Sequence, residues 1–456
     1  MTRWGANMTE KQFKHSLLRG LGSAIIMLEQ CPDKNKYREI VLYACLHNTT
    51  FDMQIEGDRG MYLFRVIEML DDMDLFERSI IVKFKNIRND VWLFNQLTSL
   101  LVLFAQKGSE KATKALYEKY ELLLQKIEKM RNLKSRREER EMLEWLSVWL
   151  TSLNGFDAFK KIIFDYGRNI AKGKANFFSF DWFYANAQHE FGRKRIEKYL
   201  LKQANKSLEV KAFYEATQMF DNWKYEDVPK PTLEEVVQNA YKVQDGITYL
   251  GRGTAMRFAR DASEDDLKKL AEKAFSEPNL NIKAEILWAF RMTKYQFPDE
   301  ILQELAQSEN KNIKDTAFAI MCQKPSEKMH DLALSVISVG KDLENGIELL
   351  CENFGRVDEK LLFDAIKRVK VKNSRDWHGA YSAVKTAFKK GRWKPRTDIL
   401  RYIYENTLCS FCRFRIVELM NQHQVLTSQI LEECLLDSNS DIRDFAKRRI
   451  KSNVYK

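Results

Sequence analysis

No proline occurs between Pro32 and Pro229. Proline breaks the interior of a helix, because its ring clashes with the preceding turn and it brings no N–H. A proline-free stretch this long permits long helices, and its Lys, Glu and recurrent Leu are good helix formers. Periodicity agrees. Leu116, Tyr120, Leu123, Leu124 and Ile127 recur at steps of four, three, one and three, which is one helical stripe, with Glu118, Lys119 and Lys126 outside it. No strand-period segment is evident. Asn154-Gly155 and Asp245-Gly246 fall between helical patterns, not between alternating runs that a hairpin would join. The expectation is an all-α protein.

At 456 residues the chain is too long for one compact core, which predicts two or three domains or one elongated array. Hydrophobic residues make up 45% and charged residues 30%, which excludes disordered and collagen-like classes. Seven cysteines, odd in number and scattered, argue against a disulfide framework and for a reducing compartment. The N-terminus lacks the apolar segment of a secretory signal. Apolar runs such as Leu100 to Ala105 are far short of a membrane span. A cytoplasmic protein with no membrane association is expected.

Two prolines and mixed charges interrupt the pattern over Lys224-Tyr225-Glu226-Asp227-Val228-Pro229-Lys230-Pro231-Thr232. This break divides the chain into an N-terminal helical domain, 1–225, and a C-terminal domain, 226–456. A weaker break, Lys134 to Arg140, reads as the exposed start of the helix carrying Leu143, Trp145, Leu146 and Trp149.

The C-terminal half repeats. Asn281-Ile282-Lys283 precedes Ala284-Glu285-Ile286-Leu287-Trp288-Ala289-Phe290, and Asn312-Ile313-Lys314 precedes Asp315-Thr316-Ala317-Phe318-Ala319-Ile320. Asp441-Ile442-Arg443 followed by Asp444-Phe445-Ala446 has the same form, and Phe411-Cys412-Arg413-Phe414-Arg415-Ile416 is a looser copy. A second element alternates with it: Leu267-Lys268-Lys269-Leu270-Ala271, Leu302-Gln303-Glu304-Leu305-Ala306 and Leu431-Glu432-Glu433-Cys434-Leu435. Each unit is therefore a helix pair, which buries its apolar face by stacking on its neighbours. Over roughly 250–456 the chain resembles the HEAT-repeat and armadillo-like superfamily. The resemblance implies an α-solenoid of antiparallel helix pairs and a scaffolding role. The N-terminal half shows helices without a clean period, as degenerate repeats or a bundle would.

Charge is concentrated. Lys367, Arg368, Lys370, Lys372, Arg375, Lys385, Lys389, Lys390, Arg392, Lys394 and Arg396 stand against the single acid Asp376 within 367–396. That segment carries +10 in a protein whose formal net charge is +11. Trp377, Tyr381, Phe388 and Trp393 are interleaved. Clustered cations attract a polyanion by releasing its counterions, and aromatic faces stack on bases. The blander alternative is a solvated basic face whose aromatics belong to the core.

A second constellation is polar. A helix through 51–62 would place Asp52, Glu56 and Arg59 on one face, with His47 near its start, a cluster that could hold a metal, do acid–base work or clamp a phosphate. The alternative is a surface ion pair with Thr50 as a helix cap. The aromatic block Phe177-Phe178-Ser179-Phe180-Asp181-Trp182-Phe183-Tyr184 follows Arg168, Lys172 and Lys174 and reads as core more than as a stacking platform.

Other motifs fail. His189-Glu190 opens like a zinc-protease helix, but position 193 is Arg. Cys409-Ser410-Phe411-Cys412 lacks a partner pair and reads as buried small apolar residues. Gly251-Arg252-Gly253 has no preceding strand and no phosphate-loop lysine. No metal, cofactor or catalytic residue is expected.

The sequence thus points to a non-enzymatic scaffold that binds an anionic partner, nucleic acid above all, through 367–396. Two rivals stand beside it. One is a protein–protein adaptor. The other is an enzyme acting on nucleic acid, since HEAT-like folds include DNA glycosylases; Asp376 with Trp377, or Glu285 with Trp288, would then supply the acid and the aromatic face.

Overall fold

The computed structural model describes residues 9–57, 59–129, 137–174, 180–221, 230–242, 249–369, 374–390 and 395–454. Among these the fold is all-α: twenty-six α-helices, a few short 3-10 and π turns, and no strand. None of the helices is long and apolar enough to cross a membrane. The proline-free stretch holds the longest, Arg137–Asn169, which changes direction at Gly155. There φ is +63°, a conformation open to glycine and costly for any residue with a Cβ.

The chain forms two compact units. The second comprises Tyr225–Thr407 and Arg415–Val425. Successive helices pair in it, Glu264–Ser276 with Leu280–Leu287, Asp299–Ala306 with Lys311–Met321, and Glu327–Val339 with Leu343–Glu352. The second helices of these pairs also pack on one another in sequence. The repeated motif has a physical role, which is to start those second helices. Asn279 and Asn310 are N-caps whose Oδ1 accepts the N–H groups of Asn281 and Ile282, and of Asn312 and Ile313. Asn310 Nδ2 also donates to Asn281 Oδ1 at 3.0 Å, linking one repeat to the next. Beyond the cap, Lys314 pairs with Asp342 at 3.2 Å.

The first unit takes in Met1–Lys224 together with two later segments, Leu408–Phe414 and Leu426–Lys456. Its central helix is Val91–Gln106, which packs against Gly60–Ile67, Met73–Asn86, Glu110–Glu128 and Arg137–Asn169. The stripe expected in Glu110–Glu128 is buried, but so is Lys119, which was expected outside it. Its ammonium donates to the carbonyls of Lys85 and Ile87 at 3.1 Å each, satisfying the end of the helix Met73–Asn86, where a cation also meets the negative end of the helix dipole. Burial pulls its pKa down to about 8.

The C-terminal segment enters this unit by close backbone approach. Helix Gly22–Gln30 lies against Ser428–Cys434. Ser438 N–H donates to Gly20 O at 2.8 Å. A Cβ on Gly20 would stand 2.1 Å from Ser438 Oγ, and one on Gly22 would stand 1.9 Å from the Glu433 carbonyl oxygen. The capping motif recurs here too, with Asn439 Oδ1 accepting from Asp441 and Ile442.

Two outcomes are expected. Gly22→Ala forces two backbones apart and lowers stability by about 1–3 kcal/mol, as overpacking does, measured by urea denaturation. Between pH 8, to which burial lowers Lys119, and the unfolded lysine value of about 10.5, the unfolded chain holds a proton that the folded chain has released, so this group's contribution to stability rises with pH. Denaturation of Lys119→Met across that window should show a shallower rise than the wild type.

Candidate functional site

Glu56 and Arg59 are brought together, but not on one helix face. The helix Met53–Glu56 has four residues and ends at Gly57, where φ is +71°. Asp52 is its N-cap, accepting from Gln54 N–H at 2.9 Å. A new helix starts at Gly60. His47 stacks on Tyr43, with centroids 4.1 Å apart, and its Nδ1–H donates to the Tyr43 carbonyl.

The Glu56 and Arg59 side chains are 2% and 3% exposed, and their charged atoms lie 3.7 Å apart. Glu56 also accepts from the backbone N–H of Asp52 at 2.9 Å and of Ser410 at 2.8 Å. Arg59 donates to Thr49 Oγ1 at 2.9 Å and to the Leu18 carbonyl. Burial lowers its pKa to about 10, an effect that Glu56 opposes and Arg413 reinforces. Arg413 and Asp437 form a bidentate pair at 2.8 and 2.9 Å in which neither side chain is exposed. Asp437 further accepts from Asn439 N–H, and Asn439 Nδ2 donates to Ser410 Oγ at 3.1 Å. The network is two cations against two carboxylates, walled off from water. It joins residues 18–62 to residues 410–439. Its chemistry is that of a structural clamp.

Arg413 and Asp437 were missed from the sequence, although a signal existed. Arg413 occupies the Lys/Arg position of the repeat motif, where Lys314 reaches an acid in the next repeat. The same rule applied to the looser copy leads to the acid at 437.

Of the basic segment, Lys370, Lys372, Arg392, Trp393 and Lys394 lie outside the described residues, as do the side chains of Arg375, Asp376, Trp377 and Lys390. In the remainder, Lys367 pairs with Asp364 at 2.7 Å and stands over the Phe363 ring. Arg368 donates to the Ile337 carbonyl at 3.0 Å. Arg396 forms a bidentate pair with Asp398 and donates its backbone N–H to Glu359. On helix Ser374–Lys390, Tyr381 and Phe388 are each 1% exposed and belong to the core. Lys385 is half-buried and Lys389 exposed, and neither has an acidic partner among the described residues.

The Glu285 carboxylate is engaged by Arg252 at 2.9 and 3.2 Å, and the Trp288 ring lies between the guanidinium groups of Arg252 and Arg291 at 4.0 and 4.2 Å. This acid and this aromatic face already have protein partners. Cys409 and Cys412 are buried, and none of the seven cysteines is in a disulfide.

The first unit contains a cavity of about 680 Å³ that the sequence did not single out. Glu144, Trp145 and Trp149 from the first half of Arg137–Asn169 line it, with Trp182, Asn186 and Glu190 from Asp181–Phe191. The aromatic block expected to be core divides: Phe180, Phe183 and Tyr184 are buried, whereas Trp182 is 40% exposed and forms part of this wall. The spacing of Trp145, Trp149 and Glu144 was the available signal, read only as helix packing.

No family model matches the chain, and no curated protein does. The chain is similar to a crystal structure of an engineered protein at 12% identity, over 97% of this chain and 98% of that one, with a TM-score of 0.16, too low to bear on fold or function.

A double-mutant cycle tests the clamp. Arg413→Met strands a buried carboxylate and should cost about 3–5 kcal/mol in urea denaturation. Adding Asp437→Asn should recover a large part of that loss, because the uncompensated charge is gone.

Proposed function

We propose that this protein is a helical-repeat scaffold of HEAT or armadillo-like type that binds a phosphate-bearing polymer, nucleic acid foremost, through the segment 367–396. The observation that carries this reading is the segregation on helix Ser374–Lys390. Ala380, Tyr381, Val384, Ala387 and Phe388 are all 2% exposed or less. That stripe fixes the helix against its neighbours and leaves Lys385 and Lys389, one turn apart, on its outer side. The flanking Lys370, Lys372, Lys390, Arg392 and Lys394 add cations within a few residues. A face with this much positive charge displaces counterions from a polyanion, which gives affinity without sequence preference.

With Tyr381 and Phe388 in the core, base stacking on them is closed off, which leaves Trp377 and Trp393 as the aromatics of the segment beside its phosphate contacts. Arg368 and Arg396 are partly committed to protein acceptors and contribute less than the sequence count suggests. The Asn-capped helix pairs support a scaffold, because stacked pairs present extended surfaces rather than a single deep catalytic cleft. Fold class does not fix function, so the reading rests on the charge and not on the helices.

Fluorescence anisotropy with labelled random-sequence RNA and duplex DNA provides the test. Wild-type affinity should fall steeply between about 50 and 200 mM salt, with a log–log slope of about −0.9 per phosphate contact on duplex. Replacing Lys389, Lys390, Arg392 and Lys394 by Glu should abolish binding while leaving the melting temperature in place. Absence of binding to either polymer at the lowest salt overturns the reading. Binding that survives the fourfold change overturns the assignment to this segment.

A further inference from the structure

The tryptophan-lined cavity of the first unit is independent of the basic segment and has the opposite electrostatic character. In a protein of net charge +11, none of the described residues lining this cavity is Lys or Arg, and two are Glu. Three indoles contribute to the wall. Trp145 and Trp182 rings meet at 4.1 Å with a tilt of 56°. Trp149 is held by its Nε1–H, which donates to Asn95 Oδ1 at 2.7 Å, and Asn95 is 1% exposed. The Trp149 ring is therefore set by the protein before any ligand arrives, and Trp145 and Trp182 rest on each other.

Part of the cavity's polar lining is committed to the protein. Glu144, 7% exposed, accepts the backbone N–H groups of Trp182 at 2.9 Å and Phe183 at 3.3 Å, and so caps the helix Asp181–Phe191. Asn95 Oδ1 is taken by Trp149, and Asn186 Nδ2 donates to the Trp182 carbonyl at 2.7 Å. Glu190 is exposed and has no cationic partner among the described residues. Desolvation raises its pKa, as a neighbouring apolar wall does. Thr151 lies in the same wall at 2% exposure, and its hydroxyl has no hydrogen-bond partner among the described residues.

These features select a ligand. Aromatic faces and carboxylates attract a cation. A phosphate or carboxylate ligand finds no cationic group there. A primary ammonium brings three N–H donors and a guanidinium five, each needing an acceptor that an indole face does not supply. A cation with an apolar skin and no N–H donors needs none. We propose that this cavity binds a methylated ammonium group, carried on a small molecule, with the cation among Trp145, Trp182 and Glu190. At about 680 Å³ the space exceeds one such group, so the rest of the molecule lies within it too, near Thr151.

Choline serves as the probe, with its neutral carbon isostere 3,3-dimethyl-1-butanol as the control of equal shape. Titrations of the full chain are followed by tryptophan fluorescence and by calorimetry. Choline should bind saturably and about tenfold more tightly than the isostere, the size of a partly desolvated cation–π contribution. Glu190→Gln and Trp182→Leu should each weaken choline binding by about fivefold while the melting temperature holds. A parallel arm uses a short peptide bearing trimethyllysine. If the peptide binds and choline does not, the ammonium site stands but the small-molecule carrier is wrong. No saturation by choline or peptide up to about 50 mM overturns the site. So does equal binding of choline and its isostere, which makes the cavity merely apolar, or indifference of choline to both substitutions.

Discussion

Arg413 and Asp437 meet where neither touches water. Removing two charges from water is expensive, and their attraction offsets that loss only when the geometry is bidentate and the remaining lone pairs are filled. The geometry is bidentate, and Asn439 supplies a further N–H to Asp437. Glu56 and Arg59 form a second buried pair alongside, their charged atoms 3.7 Å apart, and the Ser410 N–H to Glu56 bond ties this pair to the segment that carries Arg413. A pair of this kind tolerates little displacement. It therefore specifies how the segments 408–414 and 426–456 lie on the first sixty residues, and apolar packing alone would hold that register less strictly. The glycines at 20 and 22 are the steric side of the same constraint, because only there can the two backbones approach so closely.

The helical character of the chain was readable because it is written locally, in proline scarcity, periodicity and capping. The Asn-Ile-Lys signature was legible for the same reason, and its cause is the cap two residues upstream, an Asn whose side chain replaces the missing acceptor at a helix start. What the sequence concealed is non-local. Lys119 sits one step off an apolar stripe, and nothing nearby in the chain says that two carbonyls more than thirty residues earlier need a donor. The clamp joins positions separated by up to 354 residues. The face drawn through Asp52, Glu56 and Arg59 failed at Gly57, where a positive φ ends the helix that the drawing assumed. Two of those three residues still belong to one cluster, for a reason that lies at the far end of the chain.

The candidate sites illustrate the same division. Composition located the cationic segment, and structure then sorted its members, assigning Tyr381 and Phe388 to the core and giving Lys367 and Arg396 acidic neighbours. The cavity, by contrast, needed tertiary structure to appear at all. Its tryptophans come from two helices, and its carboxylates take different parts, one capping a helix and one unpartnered among the described residues. A chain with a large net positive charge has thereby kept one cavity free of lysine and arginine among its described lining residues, a pattern that composition averages away.

The Ser438 to Gly20 hydrogen bond also bears on the order in which the protein can be made. Synthesis runs from the N-terminus, yet the first unit needs residues 426–456. The second unit's main segment, 225–407, leaves the ribosome before them. At about 5–20 residues per second, the first unit waits on the order of tens of seconds with the groove for its last two helices unfilled. During that interval Leu436 is missing from beside the core, and Glu56 and Arg59 lack Asp437 and Arg413. The first unit is thus begun first and completed last, and the length of the second unit's main segment sets how long its open groove is exposed to chaperones.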